Sequence, residues 1–155
     1  MVNYHASVVS LVVALALACT WPGPLTAQRA VSESSMGNTL TLAIGDETFV
    51  ATPVDNRTAS AFKSLLPLSV RMSELNGNEK LFRLPASLPT QPSRPSSIQS
   101  GDVMLYGSDT LVLFYKSFAT TYSYTRIARI DDPAGLERAL GPGSVTVTLA
   151  VRQGK

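Results

Sequence analysis

Apolar and polar residues alternate in short runs along most of this chain, and this period-two pattern constrains the fold more than any other feature. Leu40, Leu42 and Ile44 alternate with Thr39, Thr41 and Ala43, and residues 145–151 alternate valine and leucine with threonine and alanine in the same way. Residues two apart in a strand face the same side of a sheet. Each run therefore predicts a strand with one buried face.

Turn signals separate these runs and set the number of strands. Gly45-Asp46, Asn76-Gly77 and Gly107-Ser108-Asp109 are short connections that favour hairpins. The predicted strands are 39–44, 47–52, 68–73, 81–84, 103–106, 111–115, 122–130 and 145–151. The run 111–115 is apolar at every position, so both of its faces are expected to be buried.

Two short helices and one long connection interrupt the strands. Asp55-Asn56 predicts a helix start, and Pro67 ends that helix because proline cannot donate the next backbone hydrogen bond. The second helix is expected to be capped by Asp132 and to end at Gly141. Residues 85–100 contain four prolines and predict a surface loop. The pattern as a whole fits a mainly β barrel with two capping helices.

Residues 1–27 predict an export signal, followed by a flexible linker over 28–38 and a globular domain over 39–152. The apolar run 6–18 is shorter than the roughly 20 residues of a membrane span, and Leu25-Thr26-Ala27 offers small residues for cleavage after Ala27. Leu17-Ala18-Cys19 supports a second interpretation, a lipoprotein signal with a lipid on Cys19. A third interpretation is an uncleaved anchor or a spurious start. The protein is therefore expected to be secreted, or in the periplasm or cell envelope, with a lipid anchor in the second case.

The only cysteine and the only histidine both lie in this leader, at Cys19 and His5. The domain therefore offers no disulfide, no thiolate nucleophile and no imidazole, and the lack of imidazole removes the commonest general base and the commonest metal ligand. The net charge of +2 comes from scattered Lys and Arg, which argues against a nucleic-acid partner. We expect no catalytic residues, no metal site and no cofactor.

Four stretches of the domain resemble the bacterial cyclophilin-like domain family. They are DNRTASAFKSLLP at 55–67, MSELNGNEK at 72–80, GDVMLYG at 101–107 with LVLFY at 111–115, and YTRI at 124–127 with IDD at 130–132. The resemblance implies a closed eight-stranded cyclophilin-like β-barrel with helices over its ends. In true cyclophilins, prolyl isomerisation relies on an arginine in a Phe-His-Arg stretch followed by Gln-Gly-Gly. Neither stretch occurs here, although Arg71 lies on roughly the corresponding strand.

Five residues are candidates for contact with a ligand, each beside a plainer interpretation. Tyr115, Tyr122 and Tyr124 with Arg126 would suit a groove for a peptide or aromatic ligand, because tyrosine combines a flat apolar ring with a polar tip. They equally fit barrel residues with hydroxyls at the rim. Arg71 alternates with apolar neighbours and fits a solvated strand arginine.

Two groups of acidic residues have structural interpretations that we prefer. Glu74, Asn78 and Glu79 flank a turn whose spacing does not match a calcium loop. Asp131-Asp132 is interpreted as a helix cap in preference to a metal site.

The function predicted from these residues is non-catalytic binding of an unidentified peptide or small molecule by an exported domain. The alternatives are a prolyl isomerase with degenerate motifs and an accessory module that acts through a protein partner. Contact with a membrane is expected only through the lipid anchor or an uncleaved leader. The sequence does not fix the oligomeric state.

Overall fold

Ten strands and two helices make up the part of the chain that the structure, a computed structural model, describes, namely residues 39–152. In chain order they are β1 (Leu40–Ile44), β2 (Glu47–Pro53), α1 (Arg57–Lys63), β3 (Leu68–Leu75), β4 (Glu79–Arg83), β5 (Ser97–Ile98), β6 (Asp102–Tyr106), β7 (Thr110–Phe114), β8 (Phe118–Ala119), β9 (Thr125–Ile130), α2 (Leu136–Leu140) and β10 (Val145–Val151). The signal sequence, the linker and Cys19 lie outside the described residues.

Eight of the strands close into an antiparallel barrel in the order β1-β10-β3-β4-β7-β6-β9-β2. Closure leaves none of these eight strands with an unpaired edge. The alternating residues of the first hairpin and of β10 point inward, and Leu40, Leu42 and Val147 are buried in the interior core. The predicted eight-stranded cyclophilin-like barrel with two short helices is confirmed.

The two helices close opposite ends of the barrel. Helix α1 connects β2 to β3 and α2 connects β9 to β10, and β2 and β9 are antiparallel neighbours, so the two connections lie at opposite ends. Asn56 caps α1 as predicted, since its Oδ1 accepts a hydrogen bond of 2.7 Å from the backbone N–H of Ala59. Phe62 of α1 is fully buried against the interior core.

The predicted cap of α2 is wrong. Asp132 accepts a hydrogen bond from the backbone N–H of Ala134 and so stabilises a turn that precedes the helix. The residue that caps α2 is Gly135, which has φ 83° and makes no side-chain cap. This left-handed conformation is open to glycine at little cost, so the chain can make one more turn before the helix begins.

An outer layer, formed by residues 89–100 and 116–124, covers part of the barrel wall. The first segment runs outside the wall from β4 to β6, and the second returns from β7 to β9. They meet where β5 pairs with β8 and where Ser93 pairs with Tyr124. Beneath them lies an outer cluster of buried residues that is separate from the interior core: Ile98, Met104, Val112, Phe114 and Tyr124.

The outer layer explains why β7 is apolar at every position. Its alternate residues Leu111 and Leu113 face the interior core, whereas Val112 and Phe114 belong to the outer cluster. The prediction of two buried faces is therefore confirmed. Several details differ. The proline-rich segment contributes β5, residues 118–119 form β8, β4 begins at Glu79 instead of residue 81, and β9 begins at Thr125 instead of residue 122. Among residues 39–152, no helix is long and apolar enough to cross a membrane.

Candidate ligand-binding site

A small cavity, here called the tyrosine pocket, lies on the outer face of the barrel where the outer layer ends. Its volume is about 230 Å³. Leu81 of β4 and Val112 of β7 are cross-strand partners on the outward side of these strands and supply an apolar floor. Leu75 and Asn76, at the β3–β4 turn, form one wall. The strand pleat therefore directs Leu81 and Val112 into the pocket.

Three tyrosines form the opposite wall: Tyr106, Tyr122 and Tyr124. The ring centroids of Tyr106 and Tyr122 are 6.2 Å apart with planes at 88°, and those of Tyr106 and Tyr124 are 5.7 Å apart with planes at 52°. Tyr124 is buried, whereas Tyr122 is 62% exposed. The wall is thus angular and is anchored at one side, with its outermost ring open to solvent.

Glu79 also lines the pocket, and it is the charged group that distinguishes this cavity. Glu79 faces outward at the start of β4, opposite Phe114, and only 8% of the residue is exposed. Within residues 39–152 its carboxylate has no ion-pair or hydrogen-bond partner, and its oxygens keep some contact with solvent. Burial, and then the negative charge of Glu74, raise the pKa of Glu79 above its ordinary value of 4.5.

Burial and the negative charge of Glu79 both affect the pKa of Tyr124, the buried tyrosine of the pocket wall. Burial raises the pKa of Tyr124, and the charge of Glu79 raises it further. Tyr124 therefore stays a neutral phenol at physiological pH and can donate a hydrogen bond.

Two larger cavities adjoin the tyrosine pocket, with volumes of about 560 and 620 Å³. The first shares Tyr106, Tyr122 and Tyr124 with the tyrosine pocket. The second shares Arg94 and Tyr122 with the first. Because Tyr122 lines all three, we treat them together as one outer groove that passes along the outer layer.

The structure brings together two of the five residues that the sequence singled out. Tyr122 and Tyr124 both line the outer groove. Tyr115 lies among the interior core residues and is absent from the lining of these three cavities. Arg71 is an exposed residue of β3 whose strand partner is Thr146. Arg126 lies beside Asp102, with 3.5 Å between Nη1 and Oδ1.

Tyr115 belongs to a polar cluster at the barrel end that α2 closes. Its hydroxyl donates a 2.7 Å hydrogen bond to Glu74, and the fully buried Lys80 donates to Glu74 and to the carbonyl oxygens of Gly141 and Gly143. Burial would raise the pKa of Glu74, but the hydrogen bonds from Lys80 and Tyr115 outweigh it and hold the pKa below 4.5. The cluster is fully paired, so we assign it a structural role.

Sequence reasoning missed the most informative residue of the pocket, because Glu79 was interpreted as part of a turn. A signal was available: Glu79 and Leu81 share one face of a strand, and β7 beside it is apolar on both faces. An acidic residue on that face, paired with the buried Phe114, is therefore expected to be buried as well. Tyr106 and Arg94 were also missed; Tyr106 is the last residue of β6, and Arg94 belongs to the proline-rich segment.

The comparisons with known proteins agree with this architecture. A model described as the cyclophilin-like family matches residues 42–150, most of the chain. No curated protein and no solved structure matches. Residues 39–152 contain no group of three or more His, Cys, Asp or Glu residues arranged to hold a metal ion.

Proposed function

We propose, from the premise that this chain belongs to the cyclophilin-like family, that its barrel is a non-catalytic binding domain that takes a peptide segment in the outer groove. The observation that carries the proposal is the exposed ring of Tyr122, which lines three adjoining cavities. A 62% exposed tyrosine in a groove offers a large, rigid contact surface to a partner.

The shape of the groove supports an extended ligand over a compact one. A ligand that fills all three cavities has to pass Tyr122 and reach Arg94, which is exposed. The lining is mainly uncharged, with Thr90, Ser96 and Ser123 among its polar residues. Such side chains can hydrogen-bond the backbone of a peptide while the tyrosines contact its side chains.

Titration of the protein with a peptide library, followed by heat-induced unfolding, tests this proposal. Peptides that bind are expected to raise the unfolding temperature, because a ligand that binds only the folded state stabilises it. Tyr122→Ala should abolish the shift, whereas Arg71→Ala, outside the groove, should keep it. A shift that survives Tyr122→Ala would place the peptide elsewhere and contradict the proposal.

The same variants separate binding from prolyl isomerisation. A non-catalytic domain leaves the cis–trans exchange of a proline tetrapeptide at its spontaneous rate. A rate above that background which Arg71→Ala abolishes would contradict the non-catalytic assignment.

We propose further that the domain acts outside the cytoplasm, because the apolar leader at 6–18 is followed by small residues at 25–27 that suit cleavage after Ala27. Cell fractionation should recover the protein in the medium or the envelope. Processing that is sensitive to globomycin, or membrane association that is lost in Cys19→Ala, would identify the lipid-anchored form. Recovery in the cytoplasm would contradict export.

A further inference from the structure

We propose that the tyrosine pocket binds an alkylammonium group, with the cationic head against Glu79 and the alkyl chain on Leu81 and Val112. This inference rests on the proposed function, since the pocket is the inner part of the outer groove. It adds the chemical class of the group that enters. The source of such a group is either a lysine side chain of a bound peptide or a small aliphatic amine.

The unpaired carboxylate carries the inference. A carboxylate that is largely withdrawn from water is costly unless a cation or hydrogen-bond donors compensate it, and Glu79 is 8% exposed with neither within residues 39–152. Its oxygens keep some contact with solvent, so a ligand in the pocket can reach them. The neighbouring Lys80 cannot serve, because its side chain is buried on the other face of β4 and all three of its protons are used. A cationic ligand would supply the missing partner.

The aromatic wall favours the same charge. Tyrosine faces carry negative quadrupole potential and attract ammonium groups, an interaction worth about 0.5–2 kcal/mol per well-placed ring. The ring planes of Tyr106 and Tyr122 stand at 88°, so the wall is angular. An angular wall suits a compact cation better than a flat aromatic ligand, which needs parallel faces.

Size and floor define the rest of the ligand. The pocket volume of about 230 Å³ lies below the range of roughly 300–1,000 Å³ that drug-sized ligands occupy. Leu81 and Val112 offer apolar contact but no hydrogen bond to a ligand side chain. A short alkyl chain that ends in an ammonium group matches both features, whereas a carboxylate ligand would be repelled by Glu79.

Titration of the full chain with n-butylammonium, n-butanol and butanoate tests the charge preference directly. Backbone amide shifts of Val112 and Tyr122 in NMR spectra report on the pocket. The ammonium is expected to bind more tightly than the alcohol, and butanoate not at all. Equal affinity for the alcohol and the ammonium would overturn the proposal.

Variants assign the effect to Glu79. Glu79→Gln should weaken n-butylammonium binding about tenfold or more, since charge-assisted hydrogen bonds contribute about 1.5–3 kcal/mol. Glu137→Gln, which changes an exposed carboxylate of α2, should leave the affinity unchanged. Tyr122→Leu keeps an apolar side chain without an aromatic face and should weaken binding several-fold. Unchanged affinity in Glu79→Gln would overturn the proposal.

The dependence on pH supplies a second readout. The titratable groups around Glu79 are Glu74 of β3 and the three pocket tyrosines, Tyr106, Tyr122 and Tyr124. Because the pKa of Glu79 is raised, affinity for the ammonium should fall as the pH drops through that pKa, and this fall should be absent in Glu79→Gln. Affinity independent of pH down to 4 in the unchanged protein would contradict the assignment.

Peptides distinguish the two sources and separate this inference from the proposed function. A lysine peptide that binds more tightly than n-butylammonium identifies a peptide side chain, and equal affinities identify a free amine. In another outcome, neutral peptides bind through Tyr122 while a lysine in the peptide adds no affinity that depends on Glu79. That result would support peptide binding in the outer groove and contradict the ammonium assignment. If neither peptides nor amines shift Tyr122, both fail.

Discussion

Lys80 and Glu79 are neighbours in β4 with opposite charges. Their side chains lie on opposite sides of the barrel wall, and they differ in whether they have partners. Lys80 faces the barrel interior, is fully buried, and donates to Glu74 and to the carbonyl oxygens of Gly141 and Gly143 at 2.7 and 2.6 Å. Glu79 faces the tyrosine pocket, is almost as well buried as a residue, and has no ion-pair or hydrogen-bond partner in residues 39–152.

The difference shows that the partners of a buried charge, more than its burial, separate structure from function. Removal of one member of a buried ion pair leaves its partners uncompensated and destabilises the fold, so a paired buried charge has a structural role. An unpaired buried charge lowers stability, and a protein keeps one at a cost that only another role offsets. Lys80 fits the first description and Glu79 the second.

The largest expected effect tests the structural side of the comparison. Lys80→Met should lower the free energy of unfolding by about 3–5 kcal/mol, because it leaves the Glu74 carboxylate and two carbonyl oxygens without their shared donor. Urea unfolding measures the change. Lys116→Met, which removes an exposed pair with Glu137, should cost about 1 kcal/mol or less. Equal costs for the two variants would break the comparison.

A smaller loss is expected at the other donor to Glu74. Tyr115→Phe removes one hydrogen bond to a carboxylate and should cost about 1.5–3 kcal/mol at neutral pH. Since the folded pKa of Glu74 lies below 4.5, its contribution is present above pH 4.5 and is lost as the pH falls through the folded pKa. The cost of Tyr115→Phe, followed by urea unfolding, should therefore shrink on acidification. A cost that grows in acid would contradict the pairing.

Glu79→Gln should act in the opposite direction. The folded pKa of Glu79 is raised, so the folded state binds a proton more tightly than the unfolded state, and stability falls as the pH rises from 4.5 through that pKa. Replacement by the neutral amide should therefore stabilise the unliganded protein at pH 7, by less than Tyr115→Phe destabilises it. The gain should vanish below pH 4. A loss of stability at pH 7 would show that Glu79 has a stabilising partner.

The barrel could be predicted from the sequence because its strands and turns are specified by residues close together in the chain. Alternation at 40–44 and 145–151 and the turn at Asn76-Gly77 specify strands and hairpins whose partners lie nearby or follow from closure. The cap at Asn56 was predictable for the same reason, since its bond spans three residues. Local rules failed at α2, where a left-handed Gly135 delays the helix.

The site could be predicted only in part, because it depends on contacts between distant segments. Pairing of Ser97 with Ala119 and of Ser93 with Tyr124 builds the outer layer, and no local pattern specifies either pair. The end of β7 at Phe114 also separates Tyr115 from Tyr122, which are seven positions apart but lie on different sides of the wall. The tyrosines of this region suggested a groove from the sequence, but only the folded structure shows which of them line it.

The smallest expected effect completes the comparison. Tyr122→Ala should change the free energy of unfolding by no more than about 0.5 kcal/mol, because a 62% exposed side chain contributes little to packing. Phe114→Ala, beneath the same layer but fully buried, should cost about 3–5 kcal/mol. Urea unfolding of both variants measures the contrast. A cost above 1 kcal/mol at Tyr122 would make it a structural part of the outer layer, and its exposure would then no longer argue for a ligand.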